Sequence, residues 1–193
     1  MSFAFRLMFI TSMLGMLVFT NTHAIATSKQ QTDSIESGYS VLRLFLEDEQ
    51  YLTTLRRVKL VLAFEGISDK STMLVDEIAD ASGQALDDLD KLAAAKPAIA
   101  FRQFSDDSIG KATFDSLRFA TAKELLLETD DFEKDLLLSQ SNILRVISHL
   151  AKQLEAKESN VKRKAWLNKL ALRYEKYYQQ VYARISVTGK GKA

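Results

Sequence analysis

The chain contains no cysteine, and this absence limits both its chemistry and the means that can hold its fold together. Disulfides, cysteine nucleophiles and the C-x-x-C-H attachment of a covalent haem are all excluded. Histidine is almost as scarce, because His149 is the only one outside the N-terminal region, so we expect no zinc site. Stability must therefore come from packing.

Glycine and proline are also scarce, with 7 glycines and the single proline Pro97 in 193 residues. Neither glycine-rich phosphate-binding motif occurs, and no serine lies in a G-x-S-x-G elbow. Hydrolysis by paired carboxylates needs only Asp and Glu, so composition does not exclude it. With no catalytic or cofactor motif present, we expect a protein that is not an enzyme and carries no cofactor or metal.

The residues that are abundant favour helices. Apolar residues make up 47% of the chain, which argues against disorder. Ala, Leu, Lys, Glu, Asp and Gln dominate, and runs that alternate apolar and polar residues are absent. This composition predicts an all-α protein.

The N-terminus has the order of a secretory signal peptide. Arg6 is followed by an apolar run from Leu7 to Phe19 and then by the small residues Ala24 and Ala26. We expect a signal peptide over residues 1–24, with cleavage after Ala24 or Ala26, and a flexible lead-in over residues 25–32. The apolar run is shorter than the about 20 residues that a membrane span needs, and an uncleaved anchor is the alternative. The mature protein is expected in the periplasm, with secretion as the alternative.

Removal of Arg6 leaves 25 basic and 25 acidic residues. A net charge near zero argues against a general role on nucleic acids or membrane surfaces. The charge is uneven between helices, however, because the segment 69–91 is acidic and the segment 162–184 is basic. Two solvated faces that attract each other are one interpretation, and a charged docking face for a partner is the other.

Two long amphipathic helices near the C-terminus form the predicted organising hairpin. The first begins at Phe132 and the second ends near Ile185, with a short break at Ser159 and Asn160 that can cap the second helix. So short a link makes the two helices antiparallel neighbours. The predicted seams are Phe132, Leu136, Ile143, Ile147, Leu150 and Leu154 in one helix, and Trp166, Leu170, Tyr174, Tyr177, Val181 and Ile185 in the other.

Three helices are expected before this hairpin. The first begins at Asp33 and ends near Gly66, with Val41, Phe45, Leu52, Leu55 and Leu62 as its main buried stripe. The second spans Ser68 to about Ala95, where Lys96-Pro97 ends it. A shorter one runs from Ser108 to about Glu128. Asp130 with Glu133 predicts a break before the hairpin, and one continuous helix is the alternative.

The predicted fold is an all-α four-helix bundle with an additional crossover helix, forming one domain over residues 33–187 with a disordered tail over residues 188–193. Its connectivity is that of ferritin-like bundles, which hold metals with Glu-x-x-His motifs. His149 has Val146 at the i−3 position, so no such motif exists. Glu47, Asp48 and Glu49 could contribute to an all-oxygen site for a hard cation, and surface acids are the simpler interpretation.

Aromatic residues concentrate on the last helix. Tyr174, Tyr178 and Tyr182 are four residues apart and share one face, with Trp166 and Tyr177 nearby. Core packing with the hydroxyl groups reaching the bundle end is one interpretation. An aromatic-lined pocket or partner surface is the other, with Arg173 and Arg184 available for an anionic group.

Ser139 and Gln140 place two polar residues in the seam of the first hairpin helix. They could fix the register of the helices, or they could mark a water molecule or small ligand inside the bundle. The candidate binding residues are therefore Trp166, Arg173, Tyr174, Tyr177, Tyr178, Tyr182, Ser139 and Gln140.

The sequence favours an exported, non-enzymatic binding protein of the cell envelope, for a protein partner or a small ligand. A small-molecule-sensing four-helix domain and, with less support, a carboxylate-only metal-binding bundle are the alternatives, and a structural or chaperone-like role also fits long amphipathic helices. The expected partners include no nucleic acid, and no stable membrane insertion is expected after signal cleavage. The sequence is compatible with an oligomer.

Overall fold

A computed structural model describes residues 33–51, 67–102, 109–125 and 131–188. Every regular element in these residues is helical and none is a strand, which confirms the all-α prediction. Helix α1 covers residues 33–50, and the other helices are α2 (Asp69–Ala93), α3 (Ile109–Lys123), α4 (Phe132–Lys157) and α5 (Val161–Thr188). The predicted signal peptide, the lead-in and residues 189–193 lie outside the described residues.

Helices α4 and α5 form the predicted antiparallel hairpin. Ser148 donates a hydrogen bond to the Ala171 carbonyl oxygen at 3.0 Å, and Asn168 donates to Glu155, so later residues of α5 meet earlier residues of α4. Asn160 caps α5, because its side-chain oxygen accepts from the backbone amides of Lys162 and Arg163 at 3.0 and 3.1 Å. The short link and its cap therefore fold as the sequence predicts.

Helix α2 runs antiparallel to α5. The side chains of Ser82 and Tyr174 share a hydrogen bond, and Tyr177 donates to Glu77. As predicted, α2 follows Ser68 and ends before the Lys96-Pro97 pair, which has a cis peptide bond. The helix with the acidic sequence thus lies beside the helix with the basic sequence.

Helix α1 approaches its neighbours through small residues. A Cβ atom on Gly38 would lie 2.7 Å from the Leu154 side chain of α4, so α1 and α4 lie closer there than a larger residue would allow. On α2, Gly83 receives the side chain of Gln50. Gly83 therefore leaves space for a side chain of α1 against α2.

The core lies between α1, α2, α4 and α5. Its fully buried residues include Leu42, Leu46, Ile78, Leu89, Leu144, Ile147, Leu167 and Val181. Ile147 is buried as predicted. On α4 the buried residues also include Gln140, Ser141 and Ser148. Gln140 and Ser141 lie where the apolar pattern has its gap, so polar side chains continue the seam there.

The register predicted for α1 is wrong. Its buried residues are Tyr39, Ser40, Leu42, Leu46 and Glu49, whereas Val41 and Phe45 are only half-buried. A search for apolar periodicity does not count Tyr39 and Glu49 as core positions, because both side chains carry polar groups. The predicted stripe positions Leu52, Leu55 and Leu62 lie outside the described residues.

Helix α3 leaves large apolar side chains exposed. Leu117 and Phe119 are 61% and 73% exposed. Helix α4 begins as a separate helix, because its N-cap Asp131 has a non-helical backbone and accepts from the Lys134 amide. The predicted break is therefore confirmed there. Glu133 accepts from Ser68 at the start of α2, and Asp130 lies outside the described residues.

Candidate functional site

A buried ion pair fixes one end of the bundle. Arg163 of α5 donates from Nε to the Glu158 carboxylate at 2.8 Å, and both side chains are 2% exposed. Tyr39 of α1 donates to the same carboxylate at 2.5 Å. Arg163 also donates from Nη1 to the Ala95 carbonyl oxygen at 2.8 Å. One basic residue thereby ties α1, the end of α2 and the α4–α5 link together.

The charges in this cluster are well satisfied. Burial alone would raise the pKa of Glu158, but hydrogen bonds from Arg163, Tyr39 and the Asn160 amide outweigh burial and lower the pKa. Burial and the neighbouring carboxylate raise the pKa of Tyr39, so its hydroxyl group stays protonated. Such an arrangement stabilises a fold and offers no open position to a ligand.

A second polar group lies deeper in the core. Ser82 donates its hydroxyl hydrogen to the Ile78 carbonyl oxygen at 2.8 Å. Tyr174 must therefore be the donor in the 2.5 Å hydrogen bond between the Tyr174 and Ser82 hydroxyl groups. Burial raises the pKa of Tyr174, and burial with the nearby Glu77 raises the pKa of Tyr177 to about 12. Both hydroxyl groups act here as neutral donors between helices.

The pair Glu49 and Gln140 is not fully satisfied. The two side chains hydrogen-bond each other, yet Oε2 of Glu49 and Oε1 of Gln140 are buried without a partner in the described part of the chain. Burial raises the pKa of Glu49 to about 8, although the hydrogen bond from Gln140 acts in the opposite direction. At neutral pH this carboxyl group is mostly protonated, which lets it donate as well as accept.

The structure divides the predicted aromatic residues between the core and the surface. Tyr174 and Tyr177 are buried, with ring centroids 5.9 Å apart in an edge-on arrangement. Tyr178 is half-buried against the core, and Tyr182 is 57% exposed with its ring 6.1 Å from that of Tyr178. A partner could therefore reach Tyr182 and the outer part of Tyr178, but not Tyr174.

The two polar residues of the predicted seam, Ser139 and Gln140, lie at different sites. Gln140 is 1% exposed and contacts Glu49, so it belongs to the core. Ser139 is half-buried and faces a shallow hollow between α3 and α4. Successive residues of a helix point in different directions, so these two do not form one site.

A groove between α2 and α5 brings together Trp166 and Arg173, two of the predicted binding residues. Its volume is about 600 Å³. We call it the basic groove, because four basic side chains and a single acidic one line it. The lining residues are Ala85, Asp88, Lys91, Leu92, Lys162, Ala165, Trp166, Lys169, Leu170 and Arg173.

Short side chains between long ones create the basic groove. Ala85 and Leu170 are buried and form its floor, while Ala165 leaves space beside the half-buried ring of Trp166. On α5 the groove positions 162, 166, 169 and 173 follow steps of four, three and four, which places them on one face of the helix. The three basic residues of α5 therefore line one side of the groove in a row, and Lys91 of α2 lies on the other side.

The cations of the basic groove are not used by the fold. Lys91, Lys162, Lys169 and Arg173 are exposed, and none of them forms an ion pair with a described residue. Like charges at this spacing repel each other slightly, so they do not stabilise the helix. Four cations left without acids at an aromatic ring form a surface suited to an anionic group.

A larger cleft of about 890 Å³ lies between α1, α3 and the segment before α3. Three phenylalanines from these elements, Phe45, Phe101 and Phe114, line it. Its basic residues differ from those of the basic groove, because Arg43 pairs with Glu47 and Asp90, and Arg118 pairs with Asp48. Sequence patterns missed this cleft because its phenylalanines are far apart in the chain.

Three consecutive acids considered for a cation site point in different directions. Glu47 contacts Arg43, Asp48 contacts Arg118, and Glu49 is buried beside Gln140. Within residues 33–51, 67–102, 109–125 and 131–188, no three histidine, aspartate or glutamate side chains are grouped to hold a metal ion. His149 is exposed. No helix in these ranges has the length and apolar character of a membrane span.

No protein-family model, no curated protein and no solved structure matches this chain.

Proposed function

We propose that this is an exported, non-enzymatic binding protein of the cell envelope that holds an anionic ligand group in the basic groove. The observation that carries this proposal is the row of unpaired cations beside Trp166. The signal-like N-terminus supports the export, with the periplasm as its destination. The proposed topology is a four-helix bundle with α3 on the crossover, behind a cleavable signal peptide.

Electrostatics favour this groove over the cleft between α1 and α3. The basic residues of the cleft between α1 and α3 already have carboxylate partners, so an anion would have to compete with them. In the basic groove an anion meets only one acid, Asp88. A bound anion would reduce the repulsion between these cations, which have no acid partner in the fold.

The sole tryptophan of the chain, Trp166, allows a direct test of the proposal. We expect an oligoglutamate peptide to change the fluorescence of Trp166 in a saturable manner, and added salt to weaken the binding. The charge-reversed variant Lys169→Glu/Arg173→Glu is expected to bind the peptide roughly tenfold more weakly, or worse.

A matched control is available on the same helix. Lys164→Glu/Lys176→Glu makes the same change in net charge, but both residues are exposed and neither lines the basic groove. The control should bind like the unmodified protein. Equal loss in both variants would mean that net charge alone drives binding, and saturable binding by neither protein would reject the proposal.

The cleft between α1 and α3 supports a second candidate function, the sensing of a small apolar or aromatic molecule. Arg43 lies 4.9 Å from the ring centroid of Phe101, and Arg118 lies 5.3 Å from that of Phe114, so stacked side chains shape the walls. Its volume is within the about 300–1,000 Å³ typical of ligand pockets. A thermal-shift screen of aromatic compounds would test it, and a hit unaffected by Phe101→Ala would count against this cleft.

A further inference from the structure

We infer that the ligand of the basic groove is an acidic, extended segment of another protein, lying along α5 with an apolar residue against Trp166. This inference rests on the proposed function, because it names the kind of partner that the same groove would take. The evidence is the length of the row of cations, the place of Trp166 within it and the change of charge where the row ends.

The row is too long for a small anion. Lys162 and Arg173 are eleven positions apart on one helix, which corresponds to about 16 Å at 1.5 Å per residue. A compact anion can contact one or two of these cations at a time. An extended chain covers the same distance with about five residues, since it advances roughly 3.3 Å per residue. Carboxylates along such a segment could meet Lys162, Lys169 and Arg173 together.

Trp166 supplies the apolar contact that charge alone lacks. Its ring is half-buried against the core, so it is held in place while its outer part faces the groove. A rigid aromatic residue between cations is typical of the residues that contribute most to protein–protein binding. Exposed lysines on their own give weak and salt-sensitive contacts. A partner segment therefore needs an apolar residue among its acids.

The charge of the seam between α2 and α5 changes beyond Arg173. The next hollow along the same seam is lined by Asp76, Glu77 and Asp80 of α2, with Lys70 and Arg184. Tyr177 donates to Glu77 between the two hollows, so the seam is closed at that point. An acidic segment that continued past Arg173 would meet three carboxylates against two cations, in place of one carboxylate against four. The acidic stretch of the partner is therefore short and ends there.

A series of peptides with increasing numbers of glutamates tests this inference on the full chain. We expect the affinity, measured through Trp166 fluorescence, to rise until the peptide has about five residues and then to level off. Replacing a central glutamate by leucine should strengthen binding, and this gain should be lost in Trp166→Ala, measured by calorimetry. Unchanged or weaker binding of the leucine peptide would contradict the contact with Trp166. The variant Lys164→Glu/Lys176→Glu serves again as the matched control.

The outcomes separate this inference from the proposed function. If citrate binds as tightly as the peptide of about five residues and Lys169→Glu/Arg173→Glu abolishes both, the groove binds anions but the segment inference is wrong. If affinity continues to rise with every added glutamate, the predicted boundary at Arg173 is wrong. Self-association of the chain that disappears in Lys169→Glu/Arg173→Glu would identify a second copy as the occupant and would also overturn it. Binding of no anion at all rejects the proposed function itself.

Discussion

The two faces of α5 use the same kind of charge for different purposes. On the inner face, Arg163 is 1% exposed and every described contact of its guanidinium group is an acceptor supplied by the fold. On the face that forms the basic groove, Lys162, Lys169 and Arg173 are exposed and have no acid partner among the described residues. Lys162 and Arg163 are adjacent in the sequence, so composition alone does not distinguish a structural cation from an available one.

The difference lies in what surrounds each charge. Arg163 is placed where the α4–α5 link and the end of α2 expose carbonyl and carboxylate oxygens. The groove cations are placed beside Ala85 and Ala165, whose side chains carry no acceptors. The inner face should therefore determine stability, and the groove face should determine binding.

The largest effect is expected for Arg163→Ala. The substitution leaves the Glu158 carboxylate buried without its cation and removes the donor to the Ala95 carbonyl oxygen. Loss of one partner of a buried ion pair typically costs about 3–5 kcal/mol, and we expect a decrease of that size in the free energy of unfolding. Urea denaturation followed by circular dichroism measures it.

Lys164→Ala is the control for Arg163→Ala, because Lys164 is the exposed neighbour on the same helix. It should change the free energy of unfolding by less than about 0.5 kcal/mol. If Arg163→Ala cost less than about 1 kcal/mol, the inner-face assignment would be wrong.

The next largest effect is expected for Glu49→Gln, and it depends on pH. The pKa of Glu49 is raised from 4.5 to about 8 in the folded protein, so the stability associated with this proton is present below pH 4.5 and is lost as the pH rises to about 8. Glutamine does not ionise, so the variant does not lose this stability as the pH rises. Its free energy of unfolding, relative to that of the unmodified protein, should increase by on the order of 3 kcal/mol between pH 5 and pH 9. Urea unfolding at several pH values measures the gain.

Asp87→Asn is the control for this pH series, since Asp87 is exposed on α2. A constant difference between Glu49→Gln and the unmodified protein across the pH range would mean that Glu49 is not a buried acid. The assignment of Gln140 as its partner would then lose its support.

A smaller effect is expected for Tyr39→Phe. The substitution removes the 2.5 Å hydrogen bond from Tyr39 to Glu158 but leaves the ion pair between Glu158 and Arg163. A hydrogen bond to a charged group contributes about 1.5–3 kcal/mol, so we expect a loss near the lower end of that interval. Tyr178→Phe, whose hydroxyl group bonds no described residue, is the control in the same thermal unfolding experiment. Equal losses in the two variants would contradict the role given to Tyr39.

The smallest effect on stability is expected for Lys169→Glu/Arg173→Glu. Neither side chain forms an ion pair with a described residue, so each change should alter the free energy of unfolding by less than about 0.5 kcal/mol. Differential scanning calorimetry would show this. A loss as large as that of Tyr39→Phe would mean that the groove cations support the fold.

The sequence predicts much of the fold because helix ends and apolar periodicity are local. The Asn160 cap, the end of α2 before Pro97 and the burial of Ile147 are all confirmed. The register of α1 could not be predicted, because the polar groups of Tyr39 and Glu49 find their partners in the α4–α5 link and on α4. Whether a polar residue is buried depends on partners that are distant in the chain, and a single sequence does not show which residues these are.

The candidate site could be predicted only in part. Trp166 and Arg173 line the basic groove, whereas Tyr174 and Gln140 are core residues and Ser139 lies elsewhere. The spacing of Lys162, Trp166, Lys169 and Arg173 by four, three and four residues indicates one helix face, and this can be read from the sequence. Lys91 could not be found in this way, because it reaches the groove from α2 through the antiparallel packing of α2 on α5.

Mapping backbone amide chemical shifts with an acidic peptide tests the central claim most directly. On titrating the full chain with an oligoglutamate peptide of about five residues, we expect the largest shifts in residues 162–173 of α5 and 85–92 of α2. The amides of Arg163 and Leu167, whose side chains face the core, should move less than those of Lys162 and Trp166. Shifts centred on α1 and α3, or shifts no larger than those caused by an equal concentration of salt, would contradict the assignment of the basic groove as the binding site.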